Sequence, residues 1–285
     1  MPKTDFKQTI QDALNELKNA SLRENCTNLL NTLGYRSDKT YALDDNTPQG
    51  FLETFDQDRQ INRSLAMCEK WQTAELLFQL TDEELSLAKV SNLRKVYDPE
   101  IYQSYLFIAI ELTGEPYSRT KLVGITREVN KLFAMPAMLL FKNGRRLTLA
   151  IINRRPGKRD ASKDVLEKVT LIKDIDLEKP HRAHIEILHD LSLPELTRKH
   201  KPANFLDLHQ AWQKTLDISE LNKRFYREIA DWYFWAMSKV AFPDDAEKKP
   251  DMRNATSLIR LITRLIFVWF PEGKGTRPGA PVQSN

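Results

Sequence analysis

The sequence predicts an α+β protein: an N-terminal α/β domain built on a mixed sheet, followed by an α-helical domain. Three observations carry this expectation. Apolar runs of strand length, Ala74–Leu80 and Tyr105–Leu112, precede a stretch with helical spacing. Two further strand-length runs then flank an Asn-Gly pair, a strong hairpin signal. From about Lys179 the apolar period becomes that of a helix and remains so, broken only at Pro194, Pro202, Pro243 and Pro250. A chain of 285 residues is long enough for two moderate domains, each with its own core.

Taken in order, residues 5–34 read as helical, because Phe6, Ile10, Leu14 and Leu17 share one face and Leu22, Leu29 and Leu30 resume it before Gly34. Residues 38–50, with Asp44, Asp45, Asn46, Pro48 and Gly50, have the composition of a loop. Asp58–Trp71 returns to helical spacing through Ile61, Leu65 and Cys68. The 105–112 run is almost wholly apolar, as a strand covered on both faces must be. Ser118 can cap the next helix, whose stripe of Leu122, Ile125, Val129, Leu132 and Phe133 ends before Pro136. Ala137–Phe141 and Leu147–Ile152 then form strands around the Lys142–Arg145 turn, and Val165–Ile175 adds another.

In the second half, helices are expected at 204–217, 219–240 and 253–270. The second carries Phe225, Tyr226, Trp232, Tyr233, Phe234 and Trp235, an aromatic load that predicts mostly core positions. The third is apolar around most of its circumference and calls for cover on several sides. The Pro/Gly-rich residues after it cannot form that cover and are expected to be disordered, so the chain reads as ending partway through a fold. The expected division is 1–50, a helical segment and connector; 51–178, the α/β domain; 179–270, the helical domain; and 271–285, a tail.

Hydrophobic residues are 41% of the chain and charged residues 29%, within the range of water-soluble globular proteins. The N-terminus lacks the apolar core of a secretory signal, and Arg260 and Arg264 interrupt the longest apolar stretch, so a cytoplasmic location is expected. Cys26 and Cys68 have no paired-motif spacing, and buried free thiols are expected of them. His181 and His184 have the i, i+3 spacing of some metal pairs, but His189, His200 and His209 complete no ligand set with a carboxylate or cysteine in sequence. No zinc is expected.

A net charge of +4 permits a polyanionic partner without requiring one. Its distribution is more informative: Lys142, Arg145, Arg146, Arg154, Arg155, Lys158 and Arg159 fall within 142–159 with no acidic residue among them. Such a run can be a solvated rim whose side chains lie over a sheet edge. Its single sign, its place at a hairpin turn and strand end, and the room left by Asn153 and Gly157 point equally to contact with a DNA backbone.

The stretches 147–160 (LTLAIINRRPGKRD), 221–228 (LNKRFYRE) and 253–270 (RNATSLIRLITRLIFVWF) resemble the N-terminal region of large bacterial Eco57I-like type II restriction-modification enzymes. The resemblance covers most of the chain up to Phe270 and implies a part in bacterial defence, with double-stranded DNA as partner. It further implies truncation before an adenine-N6 methyltransferase domain, the rest of that enzyme or a separate methyltransferase subunit being the protein partner. The methyltransferase elements are missing here: no Pro-Pro pair is present to hold a flipped adenine, nor a Gly-rich turn for a cofactor. An alternative from another class is a non-catalytic module that docks on a methyltransferase or specificity subunit.

The order of elements from 58 to 141 is also similar to the core of PD-(D/E)xK nucleases, in which an acid and a Glu-x-Lys bind Mg²⁺ and position water. Glu111 stands in the place of that glutamate, but Thr113 stands where the lysine belongs. The earlier acid is open among Asp82, Glu83, Glu84 and Asp98. Glu111 reads equally as a strand-end carboxylate paired with a basic neighbour. A degenerate nuclease-like fold is expected, with no cofactor, or with Mg²⁺ if the domain is active.

Overall fold

The computed structural model describes residues 5–18, 21–85, 96–156, 164–243 and 248–272. The chain forms two compact units, 1–216 and 217–285. The first is a five-stranded mixed sheet with helices on both faces.

In chain order this unit contains α1 (Phe6–Glu16), α2 (Leu22–Thr32), α3 (Pro48–Phe55), β1 (Trp71–Thr81), the single turn α4 (Asp82–Leu85) and β2 (Ser104–Leu112). There follow α5 (Arg119–Asn130), β3 (Ala137–Asn143), β4 (Arg146–Pro156), β5 (Asp164–Asp176), α6 (Arg182–Asp190), α7 (Leu193–His200) and α8 (Phe205–Thr215). Short polar side chains start several of the helices by accepting a backbone N–H: Ser21 from Glu24, Thr47 from Gly50, Ser118 from Lys121 and Asn204 from Asp207.

The strands lie in the order β1-β2-β3-β4-β5. β2 and β3 are parallel, joined by the crossover helix α5, and the other neighbours are antiparallel. β2 shows why its sequence is so apolar. Tyr105, Phe107 and Ala109 enter the core beneath α1, α2, α6, α7 and α8, while Leu106, Ile108, Ile110 and Leu112 enter the core beneath α3 and α5. Each large apolar side chain buried in this way contributes about 1.5–3 kcal/mol. In β1, a bulge between Leu76 and Phe78 turns Leu77 and Phe78 toward the same core.

Four details depart from the sequence expectation. Residues 58–71 are not an α-helix, and only Cys68–Lys70 form a short 3-10 turn. Asp56 Oδ1 accepts the N–H of Gln60 and Ile61, Asn62 Oδ1 accepts those of Ser64 and Leu65, and Arg59 and Met67 have positive φ, so side chains satisfy this backbone in turns. A helix, α3, forms instead just before residues 58–71, beginning at the end of the 38–50 stretch expected to be loop, where Pro48 takes the first turn. The hairpin turn is Gly144-Arg145, since Asn143 still pairs with Arg146, and Gly144 supplies the positive φ of 55°. Finally, α6, α7 and α8 belong to the first unit, because Leu188, Leu196, Leu208 and Trp212 complete the core on the sheet.

The second unit contains α9 (Ile218–Met237) and α10 (Pro250–Glu272). Asn254 ties the start of α10 to the end of the preceding segment, accepting from Phe242 N (2.9 Å) and donating to Val240 O (3.3 Å). The aromatics of α9 are not core: Phe225, Tyr226, Trp232, Phe234 and Trp235 are all exposed. On α10, Ile259, Leu261, Leu265, Phe267 and Val268 are exposed as well. Among the described residues, no helix is long and apolar enough to cross a membrane.

Candidate functional site

Glu111 lies near the carboxyl end of β2, opposite Lys142 in the parallel register with β3. Paired residues share a face of a sheet, so their side chains meet: Lys142 Nζ donates to Glu111 Oε1 at 2.5 Å. Across the antiparallel pairing with β1, Thr73 is opposite Glu111 and Glu75 is opposite Ala109. Glu75 is therefore a diagonal neighbour of Glu111 on that same face. Two carboxylates and a lysine thus gather at the carboxyl ends of the parallel strands, the end of an α/β sheet at which ligands usually bind.

Helix α2 covers this corner. Arg23 donates from Nε to Glu75 Oε2 at 2.8 Å, and from Nη2 to Tyr41 O (2.6 Å) and Leu76 O (2.7 Å). Nη1 reaches Leu77 O at 3.3 Å. The two strand carbonyls flank the β1 bulge, where the ladder is interrupted and its acceptors need another donor. One turn further along α2, the Cys26 thiol is pushed up to about 12 by burial, an effect eased by Lys142 and reinforced by Glu75 and Glu111. It is an inert core thiol, not a nucleophile.

This geometry bears on Mg²⁺. Paired carboxylates are the ligands such an ion takes. Here Glu75 gives Oε2 to Arg23 and Oε1 to Asn46 Nδ2 at 3.4 Å, and Glu111 gives Oε1 to Lys142. Nitrogen donors take three of these four carboxylate oxygens, so as arranged the pair does not offer Mg²⁺ a shared site unless Arg23 and Lys142 are displaced.

None of the four acids offered by the sequence order belongs to this corner. Asp82, Glu83 and Glu84 follow β1 at its far end, since Thr81 pairs with Ser104 at the start of β2. Asp82 accepts from Phe205 N, and Glu83 and Glu84 hold the buried Lys39 ammonium at 2.8 and 2.6 Å. Asp98 is fastened by its backbone N–H to Gln79. The acid that the register places beside Glu111 is Glu75. Its sequence signal was a lone charge within the apolar run 74–80.

The basic run is divided by the fold. Lys142 belongs to the corner. Arg145 is exposed and reaches Asp176 (3.0 Å) and Glu178 (3.2 Å), while Arg146 lies 3.9 Å from Asp174. Arg154 and Arg155 continue the β4 ladder opposite Leu166 and Val165, but their side chains lie outside the described part of the structure. Lys158 and Arg159 lie outside the described residues altogether.

The histidines have mostly local partners. His181 Nδ1 accepts from Ala183 N at 3.1 Å and so caps α6. His184 is held below the ordinary imidazole value by burial and by His181, against an opposing effect of Asp174. Burial likewise lowers His209, which contacts the Tyr105 hydroxyl. His189, Asp190 and Glu195 place ligand atoms within 4.8 Å of one another, a grouping that sequence spacing had not revealed. Lys199 already lies 2.8 Å from Asp190, and Arg198 2.7 Å from Glu195.

Compared with known proteins, the chain matches no family model, no curated protein and no solved structure.

Proposed function

We propose that this chain handles DNA as the N-terminal part of a type II restriction-modification enzyme, its α/β unit being a degenerate relative of the PD-(D/E)xK nucleases. The observation that carries this reading is the gathering of Glu75, Glu111 and Lys142 on one sheet face at the carboxyl ends of β2 and β3. Those are the residue types of the nuclease motif, with the lysine supplied by the neighbouring strand because Thr113 stands at its usual place. The internal ion pairs at both carboxylates support the degenerate form: metal would have to displace Arg23 and Lys142. DNA contact is then electrostatic, through Arg154, Arg155, Lys158 and Arg159 with Arg145 and Arg146 beside them. Contacts of that kind position a duplex without reading its bases.

The exposed apolar side chains of α9 and α10 favour a second reading, a non-catalytic module that docks on a methyltransferase or specificity subunit. Incubation of the chain with duplex DNA and Mg²⁺ separates the possibilities. Retarded but uncut DNA at low salt, with retardation lost when Arg154, Arg155, Lys158 and Arg159 become Ala, supports the proposal. Cleavage that disappears in Glu111→Gln would reveal a working centre and overturn the degenerate assignment. Absence of retardation at low salt favours the docking module.

A further inference from the structure

A cavity of about 480 Å³ opens where the end of α3 meets the turn after α5, and Glu75, Glu111 and Lys142 are not in its lining. That volume is within the usual range for small-ligand sites. Tyr41, Phe55, Tyr97 and Phe133 line it. Their rings are steeply inclined: Tyr41 to Phe55 at 5.6 Å and 60°, Phe55 to Tyr97 at 6.2 Å and 79°, and Tyr97 to Phe133 at 6.4 Å and 88°. Each ring carries negative potential on its faces, which attracts a cation within about 6 Å of the centroid. Burial, with help from Asp98, pushes the Tyr97 phenol up to about 12, so it remains a neutral donor.

Two carboxylates belong to the same lining, Asp56 and Asp58. Asp56 is almost fully buried, and its Oδ1 is fixed by Gln60 N at 2.6 Å and Ile61 N at 3.2 Å. Its Oδ2 takes no hydrogen bond among the described residues. Asp58 is exposed at the rim. Among the described residues the charged side chains of the lining are these two carboxylates, which favour a cationic ligand over a phosphate or carboxylate.

We propose that this aromatic and acidic cavity binds an organic cation, a substituted ammonium group carried on a small apolar body. The rings supply cation–π faces, and the two carboxylates supply negative charge, with Asp56 Oδ2 as an acceptor that no described residue engages. This activity is separate from DNA binding and stands or falls independently of it.

The test titrates the full chain with choline chloride and, separately, with 3,3-dimethylbutan-1-ol, an uncharged molecule of the same shape, at fixed ionic strength. Choline is expected to bind about tenfold or more tightly than the alcohol. Asp58→Asn should weaken choline binding severalfold, and Phe55→Leu by about tenfold, both with unchanged far-UV circular dichroism. Equal affinity for the alcohol, tighter binding of adenosine than of choline, or no choline binding by the folded wild type overturns the proposal. Choline affinity unaltered in Phe55→Leu places the binding elsewhere and overturns it too.

Discussion

Replacing Arg23 by Met tests how the corner beneath α2 is held together. Arg23 and Glu75 keep side-chain exposures of only 26% and 9%, so their pairing at 2.8 Å is largely out of water. Removing one partner of such a pair leaves a stranded charge and costs about 3–5 kcal/mol. The partial exposure of Arg23 lets water reach the site, which favours the lower end, about 3 kcal/mol. The carbonyls of Tyr41, Leu76 and Leu77 lose their donor in every variant lacking Arg23. That loss therefore cancels in a double-mutant cycle with Glu75→Gln, which isolates the ion pair. Urea unfolding followed by circular dichroism should give a coupling of about 1.5 kcal/mol or more, above the 0.3–0.5 kcal/mol within which independent sites add. An Arg23→Met cost below about 1 kcal/mol, or an additive cycle, would refute the view that this pair holds the corner shut.

Tyr35→Phe removes the oxygen that accepts from Trp212 Nε1 at 2.8 Å inside the core, and the stranded indole N–H should cost about 1–3 kcal/mol, read as a lowered Tm. His184 has a folded-state pKa below its ordinary 6.5, so its contribution is complete above that pH and is lost as pH falls toward the folded value. His184→Leu should therefore flatten the decline in stability below pH 6.5, and an unaltered pH profile would count against that origin. The exposed apolar surface of α9 and α10 predicts self-association and hydrophobic-dye binding by the 285-residue chain, both reduced when Phe234, Trp235 and Phe267 become Ser. A clean monomer that binds no dye would contradict this.

Much of the sheet was legible in the sequence because its central strand is covered on both faces. The continuous apolar run 105–112 marks such a strand, and the crossover helix followed from Ser118 and the stripe 122–133. Residues 58–71 misled because Ile61 and Leu65 happen to fall at helical spacing, while Asp56 and Asn62 satisfy the backbone locally in turns. The aromatics of α9 misled for a different reason. Bulk predicts burial only when a second layer is available, and the described elements of this unit are α9 and α10, which pack on each other and leave these rings exposed.

The site was half legible. Glu111 could be singled out by its place at a strand end, but its partner Lys142 lies across a parallel pairing 31 residues away. Lys142 had been counted with the basic run. Glu75 could be selected only once the antiparallel register put it on the same face as Glu111. The acids that meet Arg145 and Arg146 come from 174–178, beyond any window that saw 142–159 as purely positive.

The salt dependence of duplex DNA binding tests the central claim most directly. Each phosphate neutralised contributes about −0.9 to the slope of log K against log salt concentration. With Lys142 committed to Glu111, the run retains six cations, of which Arg145 and Arg146 already face carboxylates. Four to six contacts correspond to a slope of about −4 to −5, with no preference for a particular sequence. Changing Arg154, Arg155, Lys158 and Arg159 to Ala should abolish binding or bring the slope above about −2. A wild-type slope near zero, strong selection of one sequence, or undiminished binding by that variant would contradict a DNA-engaging role for this chain.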